Sequence, residues 1–592
     1  MKRISIWLSA FLLLLAPLAL RADDIPQSKA RAAAEAFFMQ CGAETRSGSA
    51  LTMIGTDLSL TGATRSGQPA YYIFNRDGGG FVIISALDAA VPVLGYSLEH
   101  SFSLSEDMPD NLRSWMECYS EQINARRASG TPATEKELSR WDEALVRTRA
   151  ANPPASIDLN TADWSQGAPF NRKCPLDSAG KRSIVGCVAT AISEVLYYFK
   201  YPTKGSGTLP SYTKNKITVG PVTLGEEYKW DLMLPKYKNV SYTDAQADAV
   251  ATLCYHVGVM CKMAYSSSAS AASTATGVQA LVQYMGYDAG TVRHSRSYAS
   301  AEEWKSLMKS QLQDSIPILF AGSSESGSAH AFVVDGYDSA DRFLINFGWG
   351  ASSNGYYQLD AFGSYTKTQT LYLGVKPDAG GVSSLHLYMR PATQSGVNYN
   401  GLTPYGGVVA QGSTFTARFG AVYNYGYGSA ACKINFAHTD KEGNIKSMLR
   451  STDISLSSLA SGSYTWWSSY QSLRVTEPIE RGDKVVPMYR ADANDEWHRF
   501  GYSQDPLFQP ELYLDIRDYS SIAYNKATRT FTLTTFANTV WTLKDSSEAT
   551  VANGSVSVGA NQVSLDCSAY PSGTYTLSLK LGSQTLDVRL IF

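Results

Sequence analysis

Features that usually settle function at once are scarce in this sequence. Its 592 residues hold only eight cysteines and seven histidines, with no CxxC pair and no Cys–His spacing of the kind that builds a metal site. No metal or other cofactor is therefore expected. Charge of one sign is lacking too: 51 Lys and Arg stand against 53 Asp and Glu, a net charge of −2. Nothing in that balance draws the chain to nucleic acid or to an anionic membrane. Past the first twenty residues no apolar run is long enough to span a bilayer.

What is present is the texture of several folded domains. The chain is 44% hydrophobic with 36 tyrosines, and it is too long for one core, so three or four domains are expected. Residues 1–22 read as a signal peptide: Lys2 and Arg3 precede the apolar "IWLSAFLLLLAPLAL", and Ala19 and Ala22 offer small-residue cleavage points. Export to the cell surface, the outer membrane or the medium follows, with no transmembrane segment once the signal is removed. No cysteine lies at the cleavage region, which argues against a lipoprotein.

Residues 23–150 combine helical and strand-like runs, an α+β unit that ends at "ANPPAS", an exposed linker. This unit is a candidate prodomain. In the next segment, 151–380, helices are expected at 187–199, 242–263, 277–285 and 301–313, followed by strands such as "IPILFAG", "HAFVVDGYD" and "FLINFGWG". After 378–384 the chain turns Thr/Ser/Tyr-rich with short alternating runs. All-β sandwich domains are expected at 385–512 and, smaller, at 513–592.

One stretch raises the chemical question. In "SIVGCVATAISEVLYYF" (183–199), Cys187 sits after a glycine at the start of an amphipathic helix. The positive end of a helix dipole favours a thiolate there, although a buried thiol that merely opens a helix is the plain alternative. A cysteine nucleophile needs a base. His330 opens the strand "HAFVVDG" directly after a glycine-serine loop, 143 residues beyond Cys187, within the separation of papain-like enzymes. His256, inside "LCYHVGVM", reads as a core histidine. The hairpin after His330 turns near Ser339 and Ala340. In its simplest register Trp349 stands opposite His330, while Asn346 has the wrong parity to orient the imidazole unless a bulge intervenes. Asp335 points to the other face and reads as structural. Gln166, in the turn-rich "DWSQGAPFN", offers an amide donor that could join the Cys187 N–H around an oxyanion; a surface glutamine is the alternative.

Four separated blocks, "QGAPFN", "GCVATAISEVLYYFKYP", "HAFVVDGYD" and "NFGWGASSNGYYQLDA", resemble the streptopain family of secreted bacterial cysteine peptidases, interpain-like enzymes of Bacteroidales included. The stretch "GGGFVIISALDAAVPVLGYS" resembles that family's inhibitory propeptide, so the resemblance covers about 25–378. It implies a papain-like α+β fold, Cys187 as nucleophile, His330 as general base and acid, Gln166 as oxyanion donor, and Trp349 in the wall beside the histidine. Asn346 falls where the family has an asparagine, and Phe347 where streptopain has tryptophan. The serine-alanine tract corresponds to a substrate loop, with Ser270, Ala271 and Ala272 lining the cleft and Ala329 contributing backbone.

The expectation is thus a secreted cysteine endopeptidase, made as an inactive zymogen, acting through a Cys–His dyad and a thioester. Its partners would be protein or peptide substrates and its own prodomain as intramolecular inhibitor. An adhesin or glycan-binding protein with a vestigial peptidase fold, and another acyl-transfer enzyme, are the competing readings.

Overall fold

The computed structural model describes residues 22–592 apart from 43–49, 61–66, 105–107, 109, 148–155, 297–298, 324–328, 360, 362–368, 381–384 and several stretches of at most five residues beyond 390. The apolar leader, most of the "ANPPAS" linker and the centre of the glycine-serine loop before His330 lie outside the described residues. No described helix is long and apolar enough to cross a membrane.

The N-terminal unit and the segment that follows it share one antiparallel sheet of eleven strands. Leu51–Thr56, Tyr71–Arg76, Phe81–Ser85 and Val93–Ser97 form one end. Val93–Ser97 then pairs with Gly355–Tyr357, placing Tyr96 opposite Tyr356. From there the sheet runs through Phe343–Asn346, Ala329–Asp338, Ile318–Ser323 and Gln369–Leu373 to Val292–Ser295. Ser156–Asp158 adds to the side of Ala329–Asp338.

Each face of that sheet buries a different partner. The helix Asp110–Ser129 of the N-terminal unit sets Leu112, Trp115 and Met116 into one apolar cluster with Phe320, Phe332, Val334, Ile345 and Phe347. The Trp115 ring lies edge-on to Phe320 and Phe332 at 6.0 and 5.7 Å, a favoured aromatic geometry. On the other face, alternate residues Ala331 and Val333 join the helix Cys187–Phe199 through Val188, Ala189, Ile192 and Val195.

The helices Cys187–Phe199 and Ala301–Gln313 have the bounds that hydrophobic spacing predicts. The other two are Asp244–Met260 and Thr274–Met285, because Thr243 and Ser273 cap them with side-chain oxygens that accept the Gln246 and Thr276 N–H groups. His256 is buried, its Nδ1 3.1 Å from the Tyr228 hydroxyl, and desolvation lowers its pKa, as suits a core histidine.

From Leu387 to Ile591 the described elements are all strands. Leu512 and Leu514 belong to the same apolar cluster as Leu387, Phe531 and Trp541, so the core runs on past the 512/513 boundary. None of the eight cysteines forms a disulfide.

The β region meets the central segment through Arg293 N–H donating to the Tyr425 carbonyl (3.2 Å) and through His294. His294 stacks on Trp304, its Nδ1 lies 2.7 Å from the Tyr388 hydroxyl, and burial pushes its pKa down to about 4. A histidine kept neutral in the fold but free to protonate in the unfolded chain costs stability as pH falls below its ordinary value of 6.5. We expect the wild type to lose roughly 2–3 kcal/mol more between pH 6.5 and 4 than His294→Gln does, by urea unfolding followed at this junction.

Candidate active site

Cys187 is the first residue of its helix, and the backbone before it is held from both sides. Val185 N–H donates to the Gln166 carbonyl (2.9 Å), and Ile184 N–H donates to the Ser266 carbonyl (3.0 Å). Ser270 Oγ lies 2.8 Å from the Ile184 carbonyl. Two distant segments of the chain, at 166 and at 266–270, therefore converge on Ile184 and Val185. Gly186 makes this approach possible: its φ is +89°, and a Cβ there would sit 2.9 Å from Met263 Sδ and from the Ser270 carbonyl. Cys187 itself is partly buried and packs against the core beneath it.

The expected substrate loop accordingly does two things. Ser270 is buried and its hydroxyl serves Ile184 and Ser266. Ala271 pairs with Ala264 through two backbone hydrogen bonds (2.8 and 3.2 Å) and is exposed, and Ala272 is partly buried against the core. Ala329 pairs with Ser323 at the start of its strand, and its side chain lies outside the described residues. Gln166 is partly buried, and its side chain hydrogen-bonds no other described residue.

His330 stands opposite Gly322 on Ala329–Asp338, the strand that carries the cysteine helix. The hairpin beyond it follows the simplest register at this end, with Val333 opposite Asn346 and Val334 opposite Ile345. Pairing stops at Asn346, because Gly348 and Gly350 turn the chain at positive φ, so Trp349 does not pair with His330 as the extended register requires. A bulge does occur, but at Asp335, on the turn side of Asn346. It leaves the parity unchanged. The Asn346 amide donates to the Ala162 carbonyl (2.8 Å) and to Thr161 Oγ1 (3.2 Å), while its oxygen accepts from Gly348 N–H and the Asn354 amide. None of these bonds reaches His330. In this structure Asn346 is a clamp on residues 161–162 and 348–354.

Asp335, buried at the bulge, accepts from Thr161, and burial raises its carboxyl to about 7. Trp349 is half-buried and lines a cavity of about 380 Å³ with Ser165, Ala168, Phe170, Tyr237 and Lys238. That cavity flanks the Gln166 loop, and Ser103 of the N-terminal unit closes one side of it.

Sequence reasoning missed two residues that the fold brings here. Asn111 of Asp110–Ser129 donates to the Phe347 carbonyl (2.8 Å), between Asn346 and Trp349; nothing local marks an asparagine in an amphipathic helix for that job. Glu194, seven residues after Cys187, is fully buried. Its signal was legible as one acid within the apolar "VATAISEVL".

Comparison with known proteins places these residues among relatives. Residues 164–357 match the Peptidase C10 family, and residues 22–123 match the Spi protease inhibitor family. The thiol protease/hemagglutinin PrtT of Porphyromonas gingivalis is 30% identical over 404 residues, covering 64% of this chain and 44% of PrtT. The chain thus spans less than half the length of that relative. Streptopain of Streptococcus pyogenes is 28% identical over 337 residues, covering 52% of this chain and 80% of streptopain. Prointerpain A of Prevotella intermedia, a solved structure, is 28% identical with a TM-score of 0.45, covering 56% of this chain and all of that one.

Gly186→Ala places a Cβ against Met263 and Ser270 in a backbone region that disfavours side chains. We expect it to cost about 1–3 kcal/mol of stability and to lower the rate of Cys187 alkylation, checked by denaturant unfolding and mass mapping.

Proposed function

We propose, on the premise that the chain belongs to the streptopain family of cysteine peptidases, that it is a secreted endopeptidase made as an inactive zymogen. The observation that carries this reading is the convergence on Cys187. A cysteine at the N-terminus of a buried helix, with the Gln166 backbone bonded two residues before it, puts a thiol and an amide donor on adjoining segments.

The chemistry follows from those groups. The Cys187 thiolate attacks the peptide carbonyl, and its own N–H and the Gln166 amide hold the oxyanion that develops. His330 takes the thiol proton and gives it to the leaving amine. Water, deprotonated by the same imidazole, then attacks the thioester, the C–S bond breaks, and the thiol is regenerated. Trp349 walls the flank of the Gln166 loop. Ala271 and Ala272 present small side chains on the other side, where a substrate backbone can come close.

Latency has a physical basis in the N-terminal unit. Its strand Val93–Ser97 extends the peptidase sheet, its helix Asp110–Ser129 supplies one side of that sheet's core, and Asn111 holds the Phe347 carbonyl. While these contacts persist, residues 346–349 are set by the prodomain. A cut between about Arg140 and Ser156 would release it. The β region at 385–592 is then an appendage that targets, anchors or stabilises the enzyme. The adhesin reading separates from this one by an epoxysuccinyl probe, which labels Cys187 only if the thiol is activated.

Cys187→Ala should lower casein cleavage by more than about 10⁴-fold. N-terminal sequencing of the matured wild type should find the cut between Arg140 and Ser156. The same cut appearing in pure Cys187→Ala protein would overturn self-processing, and undiminished casein cleavage would overturn the nucleophile assignment.

A further inference from the structure

Glu194 occupies the position one would least expect of a carboxyl group. It lies two helical turns beyond Cys187 on the same side of the helix and is fully buried, and neither carboxyl oxygen has a hydrogen-bond partner among the described residues. A leucine would fill that helix face with no desolvation cost, whereas an unpaired buried carboxyl is expensive. What surrounds it explains the cost better than packing does. The Trp164 N–H and the Asn346 amide both reach toward the carboxyl without closing a full bond to it. Trp164 lies two residues before Gln166. Asn346 begins the segment that carries Trp349, and on that segment Gly348 approaches Thr190 of the cysteine helix so closely that a Cβ would lie 3.0 Å from the Thr190 methyl.

The titratable groups that face Glu194 are Asp335 from the strand Ala329–Asp338, Asp163 from the 161–166 segment, and Cys254 from the helix Asp244–Met260. None of the three is a cation. Burial first, and then the two aspartates, raise the Glu194 carboxyl well above the usual range.

We propose that Glu194 is a positioning residue: buried at the meeting point of three chain segments, it keeps 164–166 and 346–349 in register with Cys187. This rests on the proposed roles of Cys187 and Gln166. Ionising the group would set three carboxylates against one another, with the Lys236 ammonium acting on Asp163 and no cation among the groups that act on Glu194. The segments would then separate, and Gln166 would shift from the thiol it serves. The consequence is a loss of catalytic geometry as pH rises, rather than a loss of substrate binding.

The test uses the matured full-length enzyme, with Glu194→Gln and Glu194→Leu beside the wild type, from pH 5 to 9. Two readouts are taken: peptide kcat and KM, and the rate of Cys187 alkylation by iodoacetamide mapped by mass spectrometry. Glu194→Leu should melt near the wild type, yet lose about tenfold or more in kcat with KM within about twofold. Glu194→Gln, which keeps the shape and the amide's hydrogen-bonding reach without an ionisable group, should keep kcat within about threefold and hold it to a higher pH than the wild type does. Superimposed wild-type and Glu194→Gln profiles in both readouts would overturn the proposal, as would a Glu194→Leu enzyme with wild-type kcat. If Glu194→Leu does not fold, the alkaline limb of Glu194→Gln decides alone. A wild type without peptidase turnover would sink the function instead, and the alkylation profiles would still decide the role of Glu194.

Discussion

The close approach at Gly186 is the constraint on which the central segment depends. A residue with a Cβ cannot occupy that backbone with Met263 Sδ and the Ser270 carbonyl at 2.9 Å. Because it has none, the 266–270 loop and the 166 turn can bond Ile184 and Val185 just before it. The helix start is thereby fixed in orientation before any catalytic contact is made. A helix terminus has N–H donors to spare, and this one carries the thiol. The rest of the helix anchors this start by burying Val188, Ala189, Ile192 and Val195.

The same sheet that supports the helix also explains how an N-terminal unit can restrain the site from a distance. Antiparallel pairing of Val93–Ser97 with Gly355–Tyr357 makes the N-terminal unit and the central segment one hydrogen-bonded surface. Beneath it, Trp115 and Leu112 are core residues of a cluster that joins strands of the N-terminal unit to Phe320, Phe332, Val334 and Ile345 of the central segment. Contacts of that kind stabilise through buried apolar area. The polar contact at Asn111 adds direction to that attachment: it fixes the Phe347 carbonyl, and with it the turn that leads to Trp349.

Much of this was legible in the residues. Apolar spacing located the helix Cys187–Phe199 end to end, and alternation located the strand that begins at His330. The four motif blocks carried the resemblance to a family, and the stretch 164–357 that matches Peptidase C10 contains most of them. Asn346 marks where such reading stops. Parity along the strand already put it on the face away from His330, and the observed register agrees, because the bulge falls at Asp335 rather than between the two residues. The partners it has instead, Thr161, Ala162 and Asn354, come from segments that no local pattern associates with it. Helix caps behave likewise: Ser273 starts its helix three residues before the apolar pattern does, since one side-chain hydrogen bond outweighs a weak hydrophobic signal.

By itself, the sequence determined the chemistry available: one cysteine after a glycine at a helix start, one histidine at a strand start, a glutamine in a turn, and no metal-type cluster. Those are properties of residue type and short spacing, which local physics encodes. The tertiary structure alone decided which groups share an environment. Burial of Glu194 beside Asp163 and Asp335, the clamp at Asn346, the cavity at Trp349 and the reach of Asn111 each join residues far apart in the chain. Long-range juxtaposition arises from packing the two faces of one sheet, and no residue carries that information in its neighbours.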